Sequence, residues 1–464
     1  MLFGVLWGEH FVQSPSMPVS QARAAAFDIL LRVERESAFA SDLLHSATYA
    51  HLPAQDHALA TRLVMGVLRW RSRLDHEIAP ASSQPPAKLD LEVLIALRLA
   101  LFQFHWLSRV PTRAALHESV ELVKRARKRS AAPFVNAVLR KLSENWRPPV
   151  NSEVKSPTPE LLSAELAHPR WLVDRWILHY GLEVSQRICE YDQSIPTTSI
   201  RLRTPDAEAE LQAEGISLAP GNLLASARRV AAGDITKSRV LRERRAVIQD
   251  EGSQLVAALV GSGKIILDCC AAPGGKTLAI ADQNSSANIT AVEIHPHRAR
   301  LLRNLLGTHA GSSPAIKIEI ADVASLPASN SFDRVLADVP CSGTGTLARN
   351  PEIKWRLKPE DLADLQQRQV TILRSAMRQV APGGRLIYST CSLEKEENED
   401  VIEQILAEHD DFTIMNCQDE SERLQAAGEL TWAAPTSLTS GPYLRTLPGV
   451  HPCDGFFAAV LQKS

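Results

Sequence analysis

The chain has 464 residues, of which 45% are hydrophobic and 22% are charged, and its formal net charge at pH 7 is −2. This composition excludes a disordered or fibrous protein, and the length predicts about three domains, each large enough to bury a core. The small net charge excludes a uniformly basic nucleic-acid binder but not one with a local basic surface.

Cysteine usage and the start of the chain indicate the compartment. Seven cysteines, an odd number in a long chain, argue against a disulfide framework and for a reducing environment. No Cys-x-x-Cys pair occurs, so no metal site is expected, and no apolar run reaches the ~18 residues that span a membrane. Because the apolar start lacks the basic region of a signal peptide, a cytoplasmic protein without a membrane partner is predicted. We also expect a monomer.

The first part of the chain has helical periodicity. Residues 1–16 are predicted to be a disordered tail, or to precede a true start at Met17. From 17 to 147, apolar residues recur three and four positions apart, which predicts an all-α bundle. The bundle should include a long apolar helix over 91–106 and two helices between 113 and 142.

Two basic clusters lie in this helical domain. One is the Lys- and Arg-rich run 124–129, and the other consists of Arg69, Arg71 and Arg73. Such clusters indicate either a surface that contacts phosphates or a solvated helix face whose charges suit a helix C-terminus. The sequence leaves both interpretations open.

A linker and a small module follow. Residues 148–160 are rich in proline and polar side chains, which is typical of a linker. A helix is predicted over 169–181, ending in a C-cap glycine, and strands are predicted over 199–202 and 239–248. Residues 161–245 should therefore form a small α+β module.

The last domain, predicted to span 246–464, has a different pattern of apolar residues. Short apolar strands alternate with helices, which predicts an open parallel sheet of the Rossmann-like α/β class. Strands are expected over 265–268, 289–294, 315–320, 332–337 and 384–389, with a helix over 359–380. The chain is thus predicted to be multidomain: an all-α bundle, an α+β module and an α/β domain.

A glycine loop and three acids follow the strands of this sheet. The loop at 269–277 is not a phosphate-binding P-loop, since Cys270 stands where that motif needs glycine, and it lacks the dinucleotide motif. Glu293 ends the second strand, where a carboxylate can accept both ribose hydroxyls, and Asp322 follows the third, within reach of an adenine amino group. Alone, each acid could be an ordinary N-cap. Together with Asp338 they favour an adenosine-bearing cofactor without a pyrophosphate, S-adenosylmethionine.

Two cysteines follow the fourth and fifth strands, at the edge where open α/β sheets bind ligands. Cys341 lies three residues after Asp338, in a glycine-containing loop, and Cys391 ends the fifth strand. Alone, Cys341 indicates either a nucleophile with an acid nearby or a buried cysteine in a turn. Two thiols beside a predicted cofactor crevice favour chemistry over packing.

Four motifs in this order resemble those of the Sun/RsmB-type ribosomal RNA (cytosine-C5) methyltransferases. They are Cys-Ala-Ala-Pro-Gly-Gly-Lys-Thr at 270–277, Asp-Val-Pro-Cys-Ser-Gly-Thr-Gly at 338–345, Tyr-Ser-Thr-Cys-Ser at 388–392 with Glu-Asn-Glu at 397–399, and Asp-Gly-Phe-Phe at 454–457. The helical bundle resembles the NusB-like RNA-binding domain that these bacterial enzymes carry ahead of the catalytic domain. Glu293 stands where many relatives have Asp, which keeps the carboxylate and lengthens its reach.

The resemblance implies methyl transfer from S-adenosylmethionine to C5 of a cytosine in ribosomal RNA, and small-subunit RNA is expected. It assigns attack on cytosine C6 to Cys391, breakdown of the covalent adduct to Cys341 and contact with cytosine N3 to Asp338. It assigns cofactor binding to Cys270, Ala271, Ala272, Pro273, Gly274, Gly275, Lys276, Glu293, Asp322 and Asp338. Lys276 is expected either to organise this loop or neighbouring carboxylates, or to be a surface lysine at a helix start. The group that activates Cys391 stays unnamed.

The RNA partner should be held by phosphate contacts of the helical domain and the 161–245 module. Residues 349–356 mix charges with Trp355, which is expected either to stack near the target base or to pack in the core. Four other functions are weighed: a non-catalytic RNA-binding ribosome-assembly factor, a cytosine-C5 methyltransferase of another nucleic acid, a DNA cytosine methyltransferase and an NAD-dependent oxidoreductase. The second thiol speaks against the DNA enzyme, and the glycine loop speaks against NAD.

Overall fold

The structure is a computed structural model that describes residues 19–144, 158–307 and 315–464. The chain divides into two compact units, Met1–Lys155 and Ser156–Ser464. The predicted tail or alternative start at 1–16 and most of the predicted linker lie outside the described residues. Within the described ranges, every helix is too short or too polar to cross a lipid bilayer.

The first unit is a helical bundle, as predicted. Its helices are α1 (Gln21–Glu36), α2 (Ala40–Leu44), α3 (Ala54–Arg69), α4 (Arg71–Ser82), α5 (Leu91–Trp106), α6 (Thr112–Arg125) and α7 (Ala132–Glu144). Every side chain from Val93 to Phe104 in α5 is buried, because a helix that is apolar on all sides must be surrounded by others. The one buried cation of α5, Arg98, donates two hydrogen bonds of 2.7 Å to the Asp75 carboxylate of α4. The predicted central apolar helix is confirmed to the residue.

The basic clusters of this unit make ion pairs within it. Arg71 pairs with Glu34, Lys124 with Glu121, Arg125 with Asp28 and Lys128 with Asp90. Arg69 is buried, with 8% of its surface exposed. The run 124–129 also lies at the C-terminal end of α6, where positive charge is favourable. Part of the predicted phosphate-binding charge is therefore neutralised inside the domain.

The second unit begins with three helices and a small sheet. The elements are α8 (Pro159–Glu165), α9 (Arg170–Tyr180), α10 (Leu182–Gln193), β1 (Ser199–Leu202), α11 (Ala207–Ala213), β2 (Ser217–Pro220), β3 (Ala227–Ala232), α12 (Arg239–Arg242) and β4 (Ala246–Ile248). Among the described residues, β2-β3-β1-β4 form an antiparallel sheet of four strands. The predicted strand over 239–248 is wrong in its first half. Ser238 accepts a hydrogen bond from the Leu241 amide and caps a helical turn instead.

The large sheet of this unit comprises most of its C-terminal part. Its elements are α13 (Glu251–Val260), β5 (Ile265–Asp268), α14 (Gly275–Gln283), β6 (Asn288–Val292), α15 (Pro296–Leu306), β7 (Ala315–Glu319), β8 (Phe332–Asp338), α16 (Ile353–Arg356), α17 (Asp361–Met377), β9 (Val380–Thr390), α18 (Glu399–Leu406), β10 (Phe412–Met415), α19 (Cys417–Ala426), β11 (Thr439–Ser440), β12 (Tyr443–Thr446) and β13 (Phe456–Lys463). The predicted strands are confirmed to within a few residues. Helix α17 is shorter than the predicted 359–380.

The sheet order positions a ligand crevice. Over the described residues the order is β11-β12-β13-β9-β8-β5-β6-β7, with β10 paired to β13. The chain runs from β5 outward through β6 and β7, then returns to the other side of β5 with β8 and β9. This reversal between β5 and β8 is a topological switch point, where open α/β sheets bind ligands.

The sheet is mixed rather than wholly parallel. Strands β5 to β9 are parallel, but β13 pairs antiparallel with β9 over six residue pairs, and β10 and β12 pair antiparallel with β13. The prediction of a parallel sheet missed these C-terminal strands. The run Phe456–Leu461 is fully buried, so it lacks the alternation that marks a half-exposed strand.

The helices α8–α10 share a hydrophobic core with loops of the large sheet. Trp176 and Val173 cluster with Leu347 and Leu393, which lie after the two predicted catalytic cysteines. The indole of Trp176 also donates a hydrogen bond of 3.1 Å to Glu394. The proposed boundary between a separate module and the catalytic domain therefore stays a prediction.

Candidate active site

The two thiols of the predicted site lie side by side. Cys341 Sγ and Cys391 Sγ are 3.3 Å apart, and the Cys391 amide donates a hydrogen bond of 3.3 Å to Cys341 Sγ. Strands β8 and β9 are parallel neighbours, with Asp338 opposite Ser389. Both cysteines are partly exposed residues, and their sulfur atoms lie together at this sheet edge.

The surroundings of Cys341 disfavour its thiolate form. The hydrogen bond with Cys391, together with burial, raises the pKa of the Cys341 thiol well above its ordinary value. Cys341 therefore remains protonated near neutral pH and can donate its proton toward the Cys391 sulfur. This pattern suits one sulfur that attacks and one that acts as an acid.

A buried ion pair lies next to the thiols. Lys276 Nζ donates a hydrogen bond of 2.7 Å to Asp338 Oδ2, and Ser389 Oγ donates one of 2.7 Å to Asp338 Oδ1. The Lys276 ammonium also lies 5.0 Å from the centre of the Phe456 ring. The Lys276 side chain is 14% exposed, so the expectation of a surface lysine is wrong.

Lys276 keeps its charge in this environment. Burial lowers its pKa, but the Asp338 carboxylate and the negative charge of a Cys391 thiolate raise it, and the net effect is a raised pKa. Sequence reasoning named Lys276 but missed this link to Cys391, which only the pairing of distant loops reveals.

A cavity of about 470 Å³ lies at the carboxyl ends of the parallel strands. Cys270, Glu293 and Asp322 line it, as does Pro340, the residue before Cys341. Glu293 is 3% exposed and accepts a hydrogen bond of 2.9 Å from the His295 amide. Asp322 accepts one of 3.0 Å from the Ala324 amide. Asp322 therefore combines the predicted position at the crevice with the capping role that was its plain alternative.

The glycine loop lies against α15. Gly274 has φ +113°, and a Cβ atom there would lie 2.7 Å from Leu302 Cδ1, so only glycine fits.

The lining of the cavity does not include 271–276 or Asp338. Lys276 and Asp338 belong to the thiol side of the site. Over the described parts of the chain, no group of three or more His, Cys, Asp or Glu side chains could hold a metal ion.

Asp268 lies beneath this loop as a buried carboxyl group. Thr277 Oγ1 donates a hydrogen bond of 2.7 Å to Asp268 Oδ2, and burial raises the pKa of Asp268 to about 6. Because the pKa in the folded state exceeds that in the unfolded state, this carboxyl stabilises the fold only while it is protonated. Its contribution is fully present below about pH 4 and is lost as the pH rises through 6.

We expect Asp268→Asn to remove this pH dependence. Relative to the unmodified protein, the variant's free energy of unfolding should rise by up to about 3 kcal/mol between pH 4 and pH 8. Urea unfolding at intervals across that range measures the difference. Asp410→Asn, at an exposed position, is the control and should give a curve parallel to the unmodified protein. A parallel curve for Asp268→Asn would contradict the assignment.

The stretch 349–356 is largely internal. Arg349 donates hydrogen bonds of 2.8 Å to Asp454 and 3.0 Å to Asp250, and Lys354 is 1% exposed. These two charged side chains are therefore held within this unit. The acids that engage Arg349 lie 99 and 105 residues away in sequence, so no local pattern could show the pairing. Trp355 is half-buried.

Comparisons with known proteins agree with this architecture. Residues 258–462 match the family model described as 16S rRNA methyltransferase RsmB/F, and residues 20–144 match that of the NusB family. The chain is 32% identical to a probable ribosomal RNA small subunit methyltransferase B of Bacillus subtilis (strain 168), over 96% of this chain and 100% of the relative. The chain belongs to the ribosomal RNA small subunit methyltransferase B family. A second member, from Salmonella typhi, is 30% identical over 88% of this chain and 91% of its own.

Solved structures of other proteins have the same fold as this chain. PH0851 superposes with a TM-score of 0.79 at 23% identity, over 97% of this chain and 99% of its own. NSun6 from Pyrococcus horikoshii gives a TM-score of 0.53 at 17% identity, over 64% of this chain and 98% of its own. The predicted family, the NusB-like bundle and the Rossmann-like domain are thus confirmed. S-adenosylmethionine, the cofactor predicted from the sequence, is the cofactor of this methyltransferase class.

Proposed function

We propose that the protein transfers a methyl group from S-adenosylmethionine to C5 of a cytosine in small-subunit ribosomal RNA. The transfer proceeds through a covalent bond between Cys391 and cytosine C6. The observation that carries this proposal is the pair of sulfur atoms 3.3 Å apart, beside the Lys276–Asp338 ion pair and the cavity at the switch point. A non-catalytic RNA-binding protein has no need for two adjacent thiols.

The cavity fits the cofactor. Its volume of about 470 Å³ lies in the range of small-molecule sites, and Glu293 and Asp322 supply carboxylates at two successive strand ends. Glu293 would hold the ribose hydroxyls, Asp322 the adenine amino group, and the loop 270–276 would pass close to the bound molecule. When bound, S-adenosylmethionine supplies an electrophilic methyl group. Pro340 connects this cavity to the thiol loop.

Cys391 performs the attack. Cytosine C5 is a poor nucleophile, and addition of a thiolate at C6 breaks the aromatic system and makes C5 enamine-like. An ordinary thiol has a pKa of about 8.5 and is a thiolate only in small part at neutral pH. The ammonium of Lys276, which interacts electrostatically with the Cys391 sulfur, is the cation that we assign to this activation.

Asp338 contacts the ring nitrogen N3 of the cytosine. Both of its carboxyl oxygens accept hydrogen bonds, from Lys276 and Ser389, which hold the carboxyl group in place beside the thiol loops. As sulfur adds at C6, negative charge develops toward N3. A proton shared between the Asp338 carboxyl and N3 neutralises that charge, while the Lys276 ammonium keeps its own charge beside Asp338.

Cys341 acts in the release step. After methyl transfer a water molecule takes the C5 proton, the C5–H electron pair forms the C5=C6 double bond, and the electron pair of the Cys391–C6 bond returns to sulfur. Cys341, protonated and 3.3 Å from Cys391, donates a hydrogen bond or its proton to the departing sulfur. The target base must be unpaired or flipped to reach these groups, while the helical bundle and the 161–245 module hold flanking RNA. A monomeric state and a cytoplasmic location remain predictions.

Labelled methyl incorporation tests the proposal. We expect label from S-adenosylmethionine to enter ribosomal RNA taken from a strain that lacks this gene, and not DNA. Bisulfite sequencing of that RNA should show one methylcytosine lost with the gene and restored by the purified protein. Incorporation into DNA or another RNA would indicate a different substrate. RNA binding without incorporation would favour an assembly factor, and a preference for NAD over S-adenosylmethionine would overturn the mechanism.

A further inference from the structure

The carboxylate of Glu397 lies buried between the two thiol loops. It is 0% exposed, and Oε1 accepts hydrogen bonds of 2.8 Å from the Ser342 amide and 2.8 Å from Gln369 Nε2. Its other oxygen, Oε2, accepts one of 2.5 Å from Ser392 Oγ. Ser342 directly follows the first cysteine of the site, and Ser392 directly follows the second. One carboxylate therefore connects the residues next to both sulfur atoms.

Neighbouring side chains extend this connection. Gln369 Nε2 also donates to the carbonyl of Pro340, at 3.0 Å. Hydrogen bonds therefore fix the residue before Cys341 and the residue after it. Asn398 does the same for the second thiol: its Oδ1 accepts a hydrogen bond of 2.6 Å from Thr390 Oγ1, and its Nδ2 donates one of 2.9 Å to the Ser392 carbonyl. The side chains of Glu397, Gln369 and Asn398 thus hold the loops of both cysteines at the sheet edge.

We propose that Glu397 is a positioning residue that sets the separation of the Cys341 and Cys391 sulfur atoms. Neither cysteine lies inside the paired part of β8 or β9, so the strand ladder alone does not determine where the sulfur atoms stand. Hydrogen bonds to a carboxylate are stronger than neutral ones, and burial strengthens them further. The consequence for catalysis rests on the proposed function, since release from Cys391 needs Cys341 within contact.

Three substitutions weaken this connection to different degrees. Glu397→Gln keeps one oxygen acceptor for Ser342 and Gln369, and its amide group can donate to Ser392 Oγ, so the loops should stay close. Glu397→Ala removes both carboxylate oxygens, so the donors of Ser342, Gln369 and Ser392 lose this acceptor. Ser392→Ala leaves the Glu397 carboxylate in place and removes the hydroxyl that contacts Glu397 and the Ser342 hydroxyl. It remains informative if Glu397→Ala fails to fold.

Glu251 offers a matched control. It is also 0% exposed, and it accepts hydrogen bonds from the amides of Asn222, Leu223 and Leu224. Its contacts hold a loop of the small module rather than the thiol loops. Glu251→Gln and Glu251→Ala should therefore lower thermal stability to a comparable extent without changing the thiol pair.

The decisive measurement is the rate at which diamide links Cys341 to Cys391. The two thiols are oxidised to a disulfide while the diazene is reduced to the hydrazine, and peptide mass mapping identifies the linked pair. At fixed pH and below the melting temperature, we expect the rate to fall roughly tenfold or more in Glu397→Ala and only a fewfold in Glu397→Gln and Ser392→Ala. The Glu251 variants should match the unmodified protein. An unchanged rate in Glu397→Ala, or in both milder variants if that one is unfolded, would overturn the proposal.

Kinetics supply the second readout. In Glu397→Ala, kcat for methyl transfer should fall about 100-fold with the KM for S-adenosylmethionine unchanged, since a misplacement of about 1 Å has that effect on rate, and Glu397→Gln should recover most of it. A rise in KM with kcat unchanged would contradict the assignment. If no cytosine is methylated by the unmodified protein, the proposed function fails, while the rate of disulfide formation still decides the role of Glu397.

Discussion

Replacing Cys391 by serine should abolish methyl transfer, with a loss of at least about 10⁴-fold in rate. A serine hydroxyl is far too weak an acid for the Lys276 ammonium to ionise it, so no nucleophile remains to add at cytosine C6. No RNA complex that survives denaturation should form either. Label transferred from S-adenosylmethionine to ribosomal RNA measures the rate, and a denaturing gel detects the covalent complex.

A second thiol serves as the control for this substitution. Cys417 is fully buried and contacts the Ala458 carbonyl at 3.7 Å, away from the cavity lining. Cys417→Ser should change stability but leave the rate of methyl transfer within about twofold, because distant sites act independently. Methyl transfer by the Cys391→Ser variant would remove Cys391 as the nucleophile. Attack by Cys341, as in a DNA cytosine methyltransferase, would then be the alternative.

Replacing Cys341 by serine should instead trap the reaction after methyl transfer. The first turnover should proceed, because attack belongs to Cys391. Release should slow by about 10² to 10⁴-fold, the usual value of a positioned acid or base, since serine is a poorer proton donor than the thiol 3.3 Å from Cys391. The protein should therefore accumulate as a covalent complex with RNA, visible as a shifted band on a denaturing gel with labelled RNA.

The double variant decides whether this trapped complex has the proposed structure. Cys341→Ser combined with Cys391→Ser should form no complex, because the bond to RNA is made by Cys391. Peptide mapping of the trapped single variant should place the nucleotide on Cys391. Failure of Cys341→Ser to accumulate a complex would return Cys341 to the structural role of a buried cysteine in a turn.

Local patterns predicted the elements of this protein well. The apolar residues of α5 and of the strands β1 and β5 lie within short segments, so their spacing determines the type of element directly. The order of strands also placed Cys341 and Cys391 at one sheet edge, because the carboxyl ends of neighbouring parallel strands meet there. The sequence could go no further than that edge.

The two errors in the predicted elements have different causes. The antiparallel strand β13 is buried on both faces and carries no alternating pattern, and the strands that it pairs with are mostly distant in sequence. The helix α12 forms because Ser238 caps it locally, a signal that the strand prediction overlooked. The charge of Arg349 is engaged by Asp250 and Asp454, a long-range pairing that no local pattern shows.

The sequence by itself indicated the family, the cofactor class and the presence of a helical bundle and a large sheet, and it predicted the residues of the candidate site. It did so because the chemistry of methyl transfer requires particular residue types at the ends of particular strands. Only the tertiary structure decided that the two sulfur atoms touch, that Lys276 is a buried cation beside Asp338, and that Glu397 fastens both thiol loops. These contacts join residues 50 to 62 positions apart, and their distances depend on sheet order and loop packing, which no local spacing encodes.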